Sequence, residues 1–166
     1  MACSLLRTWR GVAMVTELVE ILIRQHRIID RILSLGERPF MTPEQARTIT
    51  SQLRHTFLLH AQAEERVVYP RFAAVRALAP WIHAARDEHE AVANLLDELP
   101  DPSIDLARWI GAMAELRRSI RRHFAEEEQM LLPYVGGQLD IHEARDMSAT
   151  LKRVLAPTLT QRATYP

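Results

Sequence analysis

One polar motif, His-x-x-x-Glu-Glu, occurs twice in this chain, beginning at His60 and again at His123. In each copy a carboxylate follows the histidine by four residues, and a proline follows it by ten. Another histidine lies 34 residues before each copy, so the whole pattern repeats with the offset of 63 residues that separates His60 from His123. The repeat singles out six candidate metal ligands: His26, His60, Glu64, His89, His123 and Glu127.

These six residues interrupt stripes of apolar residues that recur at steps of three and four, the spacing of one helix face. The stripes predict a helix at about 13–35, one from the Thr42 cap towards Pro70, one at about 81–99, and one that stops near Pro133. Because proline removes a helical hydrogen bond, Pro70 is predicted to kink or end its helix. Four long amphipathic helices with short connections predict an all-α, up-down-up-down four-helix bundle.

The chain divides around this bundle into three predicted parts. Residues 1–13 form a weakly patterned extension, residues 14–135 form the four-helix domain, and residues 136–166 form a C-terminal part. There, Gly136-Gly137 predicts a turn, and Asp140 with Glu143 predicts the start of an additional short helix that runs to about Val154 as an appendage. The tail to Pro166 is predicted to fray.

Two carboxylates inside a bundle are costly unless positive charge accompanies them. Residues four apart on a helix share a face and are separated by about 6 Å along the axis, so both members of each motif reach the bundle centre. Burying one unpaired carboxylate costs several kcal/mol, and burying two together costs more. Neutral imidazoles do not cancel that charge, whereas a pair of cations does. The pattern therefore predicts one dinuclear metal site.

Simpler explanations exist for each piece of the pattern. A lone histidine on an apolar face is usually a hydrogen-bonded core residue, and a single His-x-x-x-Glu pair is often a surface interaction. The recurrence of all the elements at matched spacing weighs against both. Mixed imidazole and carboxylate ligands suit iron, manganese or zinc, and a dinuclear centre with bridging Glu suits iron best. A ferritin-like site would need Glu-x-x-His, and none of the seven histidines has an acidic residue three positions before it.

Charge and cysteine content narrow the function classes. Basic and acidic residues balance at 21 each, which gives no support to a nucleic-acid or membrane-surface role driven by net charge. Cys3 is the single cysteine, so the chain has no intrachain disulfide and no Cys-x-x-Cys-His haem motif. No apolar run approaches the ~18 residues that cross a bilayer. We therefore expect a cytoplasmic protein without a nucleic-acid or membrane partner.

The motif series, with Glu-Glu before a Val-Val-Tyr-Pro and a Met-Leu-Leu-Pro segment, resembles the hemerythrin family and, more narrowly, the bacterial HHE cation-binding domains. The resemblance covers about residues 14–135. It implies a four-helix bundle that holds two iron ions as a non-haem centre with an oxo or hydroxo bridge, with manganese or zinc as alternatives. It also implies a small ligand: O2, nitric oxide or hydrogen peroxide.

Two positions depart from the pattern of the oxygen-carrying hemerythrins. Those proteins have a second histidine four residues before the one that matches His89, where this chain has Ala85. They place an Asp five residues after the fourth-helix histidine, where this chain has Glu127 at four and Glu128 at five. Either glutamate could be the ligand, and the internal repeat favours Glu127. The loss of one imidazole leaves more open coordination, which favours redox chemistry over simple O2 storage.

Two functional hypotheses follow. The first is a redox-active di-iron protein that binds or reacts with O2, peroxide or nitric oxide, in the response to oxidative or nitrosative stress or in oxygen or iron sensing. The second is a non-catalytic, metal-dependent sensor or partner-binding module. Tyr69 and Tyr134 flank the two prolines, but spacing alone places neither at the site. Glu65 and Glu128 are either outer partners of the ligands or exposed.

Overall fold

The computed structural model describes residues 2–159, and it describes side chains from residue 17 onward except at position 136. The described residues are helical almost throughout and contain no strand. Seven α-helices and two π-helical turns follow one another in this order: α1 Ala2–Leu35, α2 Pro43–Ala63, the first π turn Glu64–Val68, α3 Tyr69–Phe72, α4 Ala79–Asp97, α5 Leu106–Glu126, the second π turn Glu127–Leu131, α6 Leu132–Gln138 and α7 Ile141–Leu159.

Four long helical columns form the bundle that the apolar stripes predict. Helix α1 contacts α2, α2 contacts α4, α4 contacts α5, and α5 contacts α1, so the four columns close into a ring. Local signals set where they begin: Thr42 caps α2 with a reciprocal capping box to Gln45, and the Asp105 carboxylate accepts from the Arg108 backbone N–H at the start of α5. The all-α bundle fold is confirmed.

The fourth helical column does not stop near Pro133, contrary to prediction, and the second column continues past Pro70, where a kink or an end was predicted. Each proline follows a π turn, in which the Tyr69 N–H donates to the Glu64 carbonyl and the Leu132 N–H donates to the Glu127 carbonyl. The wider turn lets a new α-helical segment start at the proline, where a missing N–H costs little. The second column therefore runs on to Phe72, and the fourth runs on through α6 to Gln138.

The two chain ends also differ from the predicted boundaries. Helix α1 begins at Ala2, so the predicted extension at residues 1–13 is helical in its described part. The turn predicted at Gly136-Gly137 is wrong, because both glycines lie inside α6 and the break comes at Leu139, whose backbone is extended. Asp140 accepts hydrogen bonds from the next backbone N–H groups and starts α7. The predicted fraying near Pro166 lies outside the described residues.

Helix α7 is an integral part of the packing rather than an appendage. It runs five residues past the predicted end at Val154 and contacts α1, α2 and the first π turn. Leu151 and Leu155 are fully buried and pack in the same apolar cluster as Leu18 and Leu22 of α1. The fully buried side chains of α7 follow a helical period, which is the pattern of a packed helix.

The core consists of two apolar clusters with a polar layer between them. One cluster is centred on Phe57, Trp109 and Leu116, and the other contains Leu22 and Phe72. Trp109 is fully buried, and its indole N–H donates to Thr50 Oγ1 at 3.0 Å, so its one polar atom is satisfied. None of the described helices combines the length and the apolar character of a membrane span.

Phe40 is the one described non-glycine residue with a positive φ, 60°, and its side chain is 99% exposed. The left-handed conformation costs such a residue about 1–2 kcal/mol, and Asn adopts it more readily. We expect Phe40→Asn to raise the free energy of unfolding by about 0.5–1 kcal/mol, measured by urea denaturation.

The matched control is Ile104→Asn, since Ile104 is 86% exposed and lies at an ordinary φ. That control should stay within about 0.5 kcal/mol of the parent protein. An equal gain in both variants would contradict the backbone explanation and would assign the effect to the loss of exposed apolar surface.

Candidate metal centre

The structure brings all six candidate ligands together in the centre of the bundle. We call these six residues the His/Glu cluster: His26, His60, Glu64, His89, His123 and Glu127. None of them is more than 4% exposed. Each helical column of the bundle contributes at least one member, and each π turn begins at one of the two glutamates. The two halves of the repeat thus meet in one buried polar layer.

The donor atoms of the cluster form two overlapping groups. In the first, atoms of His60, Glu64, His89 and His123 all lie within 4.8 Å of one another. The second joins His26 and Glu127 to the shared His60 and Glu64 at the same spacing. The His26 Nε2 to Glu127 Oε2 distance is 3.3 Å, and the His89 Nε2 to Glu64 Oε2 distance is 3.4 Å. The cluster therefore has the donors for two neighbouring cations.

Several inward-facing atoms lack hydrogen-bond partners among the residues whose side chains the structure describes. They are His26 Nε2, His60 Nε2, Glu64 Oε1 and Glu127 Oε2, of which His26 Nε2 and Glu127 Oε2 form an ion pair at 3.3 Å without a hydrogen bond. A buried polar atom without a partner costs about 1–3 kcal/mol, and a charged one costs more. Four such atoms in a single cluster are the arrangement expected of metal ligands, because each lone pair would bind a cation rather than a proton donor.

His89 and His123 point their Nε2 atoms at each other at 3.0 Å. On the far side of each ring, Nδ1 lies 2.9 Å from Glu65 Oε1 in His89 and 2.8 Å from Glu88 Oε2 in His123. A carboxylate only accepts, so each Nδ1 carries the ring proton and each Nε2 presents a lone pair. Two facing lone pairs repel unless a proton or a metal cation lies between them. These tautomers are the ones that bind metal through Nε2.

Outer carboxylates orient three of the four imidazoles. Besides Glu65 and Glu88, Glu128 Oε1 accepts from His26 Nδ1 at 3.0 Å, and its other oxygen accepts from Arg27. Glu127 thus faces the cluster, whereas Glu128 supports a histidine from outside. Glu65 and Glu128 are repeat equivalents that act on equivalent histidines. Sequence reasoning missed Glu88, although Glu88 directly precedes the candidate ligand His89 on α4.

His60 is the exception to this outer support. Among the described side chains its Nδ1 has no hydrogen-bond partner. The repeat equivalent of Glu88 is Gln25, which is fully buried but donates instead to Thr158 Oγ1 of α7 at 2.9 Å. Gln25 therefore has an amide where Glu88 has a carboxylate, and that amide is hydrogen bonded to α7. The two halves of the site consequently differ in their outer contacts.

Tyr69 lies inside the site, a placement that spacing alone left undecided. Its Oη is 3.0 Å from Glu64 Oε2 and 2.7 Å from Glu127 Oε1. A phenol has one proton and donates to one carboxyl at a time, so the second contact needs a proton from a glutamate. Burial, then the two carboxylates, raise the pKa of Tyr69 and keep it protonated. Tyr134 is only partly buried, within the cluster around Leu22 and Phe72.

Burial and mutual contact shift the pKa values of the two glutamates in opposite directions. Burial and the charge of Glu127 raise the pKa of Glu64 well above its usual value. Burial also favours neutral Glu127, but nearby His26 and His123 outweigh it and hold the Glu127 pKa well below its usual value. The raised pKa of Glu64 favours its neutral, protonated form, which leaves the Tyr69 hydroxyl group free to donate to Glu127. A bound cation would displace this proton and ionise Glu64.

The histidines of the cluster also differ in their pKa. Burial lowers the pKa of His60 well below its usual value, so His60 is a neutral donor of a lone pair. Burial acts on His26 in the same direction, but Glu127 and Glu64 outweigh it and raise its pKa. The remaining histidines outside the cluster lie on the surface: His55, His83 and His142. Asp30 forms a salt bridge with Arg121 at 2.6 Å.

Comparison with known proteins agrees with this arrangement. A family model described as the Hemerythrin HHE cation binding domain matches residues 17–135. An uncharacterised hemerythrin-like protein of Schizosaccharomyces pombe is 30% identical over 96 residues, 57% of this chain and 47% of that protein, so this chain spans about half the length of that relative. No solved structure shows a significant match. The family match covers most of the chain and includes all six cluster residues, and the chain therefore belongs to the hemerythrin HHE cation-binding family.

Proposed function

We propose that this protein holds two iron ions in the His/Glu cluster and that it binds or reacts with O2, nitric oxide or hydrogen peroxide. The physiological setting we propose is oxidative or nitrosative stress, or oxygen or iron sensing, in the cytoplasm. The observation that carries the proposal is the set of unpartnered, inward-facing nitrogen and oxygen atoms in the buried layer. Neither packing nor hydrogen bonding among the described residues explains why these polar atoms are buried there.

The donor set supports two cations of one class. Four imidazoles and two carboxylates would be the ligands: His26, His60, Glu64, His89, His123 and Glu127. Mixed nitrogen and oxygen donors suit iron, manganese and zinc, and no thiolate is present among them to favour a softer metal. Glu64 belongs to both donor groups, which suits a carboxylate that bridges two ions. An iron pair supplies redox chemistry and open positions for small ligands when it is bound.

The protein's own residues hold the site in shape. Glu65, Glu88 and Glu128 keep the ring protons of three histidines on Nδ1, so that each Nε2 has a lone pair available to bind a metal ion. Tyr69 holds Glu64 and Glu127 at fixed separation through its hydroxyl group. Apolar residues above and below the layer exclude bulk water, which strengthens every electrostatic interaction within it. The result is a buried and preorganised site for small reactive ligands.

A metal-dependent sensor without turnover is the second candidate. The hydrogen bond between Gln25 and Thr158 connects the residue next to His26 with the last turn of α7. A change at the site could therefore alter the packing of α7 and a surface that a partner reads. Peroxide turnover by the iron-loaded protein would favour the first candidate. Metal-dependent partner binding without turnover would favour the second.

We expect His60→Ala to lower iron affinity by more than about 100-fold, the upper range for loss of an outer partner of a ligand. The wild-type protein should retain about two irons per chain after purification from iron-replete cells, measured by mass spectrometry of the metal. The variant should also unfold at lower urea concentration, because metal binding contributes to folding. His55→Ala is the matched control, since His55 is exposed. Iron at wild-type level in His60→Ala would contradict the proposed ligand set.

We expect Tyr69→Phe to keep the fold and to lower the free energy of unfolding of the iron-loaded protein by about 1–3 kcal/mol, since a buried carboxylate oxygen loses its donor. Urea denaturation followed by circular dichroism measures this change. Tyr134→Phe is the matched control, and it should change stability by less than about 0.5 kcal/mol. Equal effects of the two substitutions would mean that the Tyr69 hydroxyl group has no special role at the site.

A further inference from the structure

A small cavity opens beside the His/Glu cluster between α4 and α5, and we call it the α4–α5 cavity. It measures about 20 Å³. That volume holds one water-sized molecule, because roughly 10–15 Å³ is the least that a water needs. Its walls include the cluster residues His123 and Glu127 and the mostly apolar residues Trp81, Ala84, Ala85 and Leu131. The side chains of Glu88 and Glu126 also line it.

The cavity joins solvent to the cluster. Ala84 is exposed and Trp81 is 38% exposed, whereas Ala85, His123 and Glu127 are buried. A wall that combines exposed and buried residues forms a short passage inward from the surface. A larger groove between α2 and α4 leads to a different part of the site. It is lined by both charged and apolar residues and reaches the cluster at His89, on the outer side where His89 Nδ1 is hydrogen bonded to Glu65.

The internal repeat supplies a comparison for this cavity within the same molecule. Shifting its residues by the 63-residue offset gives the equivalent positions between α1 and α2. Ala84 corresponds to Ile21, and Ala85 corresponds to Leu22. Both equivalents are larger aliphatic residues and both are buried. The remaining equivalents are buried as well, namely Leu18 for Trp81, Ala63 for Glu126 and Val68 for Leu131.

Helix α7 covers the equivalent groove. It contacts α1, α2 and the first π turn, and its Leu151 and Leu155 pack in one cluster with Leu18, Ile21 and Leu22. The side of the site near His26 and His60 is therefore filled by aliphatic side chains and covered by a helix. The side near His89 and His123 has two alanines and a cavity at the same positions. The pseudo-symmetric site is thus closed on one side and accessible on the other.

We propose that small ligands reach the metal centre through the α4–α5 cavity, and that Ala85 sets the size of ligand that enters. The inference rests on the proposed function, and it adds the route by which the ligand enters and a limit on the size of that ligand. A cavity of this volume admits molecules with one or two heavy atoms, such as O2, nitric oxide and hydrogen peroxide. Leu22 together with α7 closes the opposite approach, on the His26 side.

The test is the association rate of nitric oxide with the reduced, iron-loaded protein, followed anaerobically by stopped-flow absorbance. In Ala85→Leu the added side chain fills the inner end of the cavity. We expect iron content to stay at the wild-type level while nitric oxide association slows by about tenfold or more, which a steric barrier of about 1.4 kcal/mol produces. Trp81→Ala removes part of the outer wall and should leave association unchanged or faster.

Ala91→Leu is the matched control, because it makes the same chemical change at an exposed position of α4. Its association rate should equal that of the wild type. If Ala85→Leu loses iron or fails to fold, Ala84→Leu decides the question, since Ala84 is exposed at the rim of the same cavity and should slow association in the same way.

The possible failures of the two proposals are separable. A wild-type protein that takes up no iron contradicts the proposed function. A wild-type protein that holds iron and binds nitric oxide, but whose rate is unchanged in the leucine variants at positions 84 and 85 that retain iron, overturns the access route alone. In that case the ligand enters from another side, and the alanines of α4 are ordinary helix residues.

Discussion

Two carboxylates buried in one layer of a helical bundle govern the rest of this structure. Glu64 and Glu127 come from opposite halves of the chain, and a single tyrosine hydroxyl contacts both. Both carboxyl groups are almost fully buried, so the layer must supply positive charge or protons from within. Four imidazoles surround the carboxylates, and outer glutamates hold three of those rings with their lone pairs inward. Such a layer is unfavourable as a purely structural core and favourable as a cation site.

Apart from the α4–α5 cavity, the bundle encloses this layer in apolar side chains. Aliphatic and aromatic clusters lie on both sides of it, and they exclude the water that would otherwise screen its charges. The π turns at Glu64 and Glu127 widen the second and fourth columns at the level of the site, and they leave both prolines in helix-starting positions. Local backbone irregularity therefore occurs where the functional side chains are placed, as is common for π turns.

Approximate two-fold symmetry relates most residues of the site, and departures from this symmetry account for the differences between its two halves. Equivalent glutamates support equivalent histidines, His26 through Glu128 and His89 through Glu65. The symmetry fails where Gln25 binds α7 instead of supporting His60, and where alanines of α4 replace the larger residues of α1. Both failures make the α1 side tighter and the α4 side more open. The two halves of the site therefore have similar donor atoms but differ in the side chains and helices that surround them.

The sequence by itself determined the bundle and the convergence of the four histidines and Glu64, because a 63-residue repeat of polar positions on apolar stripes fits few other arrangements. The helix caps at Thr42 and Asp140 are local signals and were readable for the same reason. Contacts between distant segments decided what the pattern left open: the inward position of Glu127, the support of His123 by Glu88, the placement of Tyr69 and the docking of α7. Spacing records which residues share a helix face, but only the packing of one column against another decides which atoms meet.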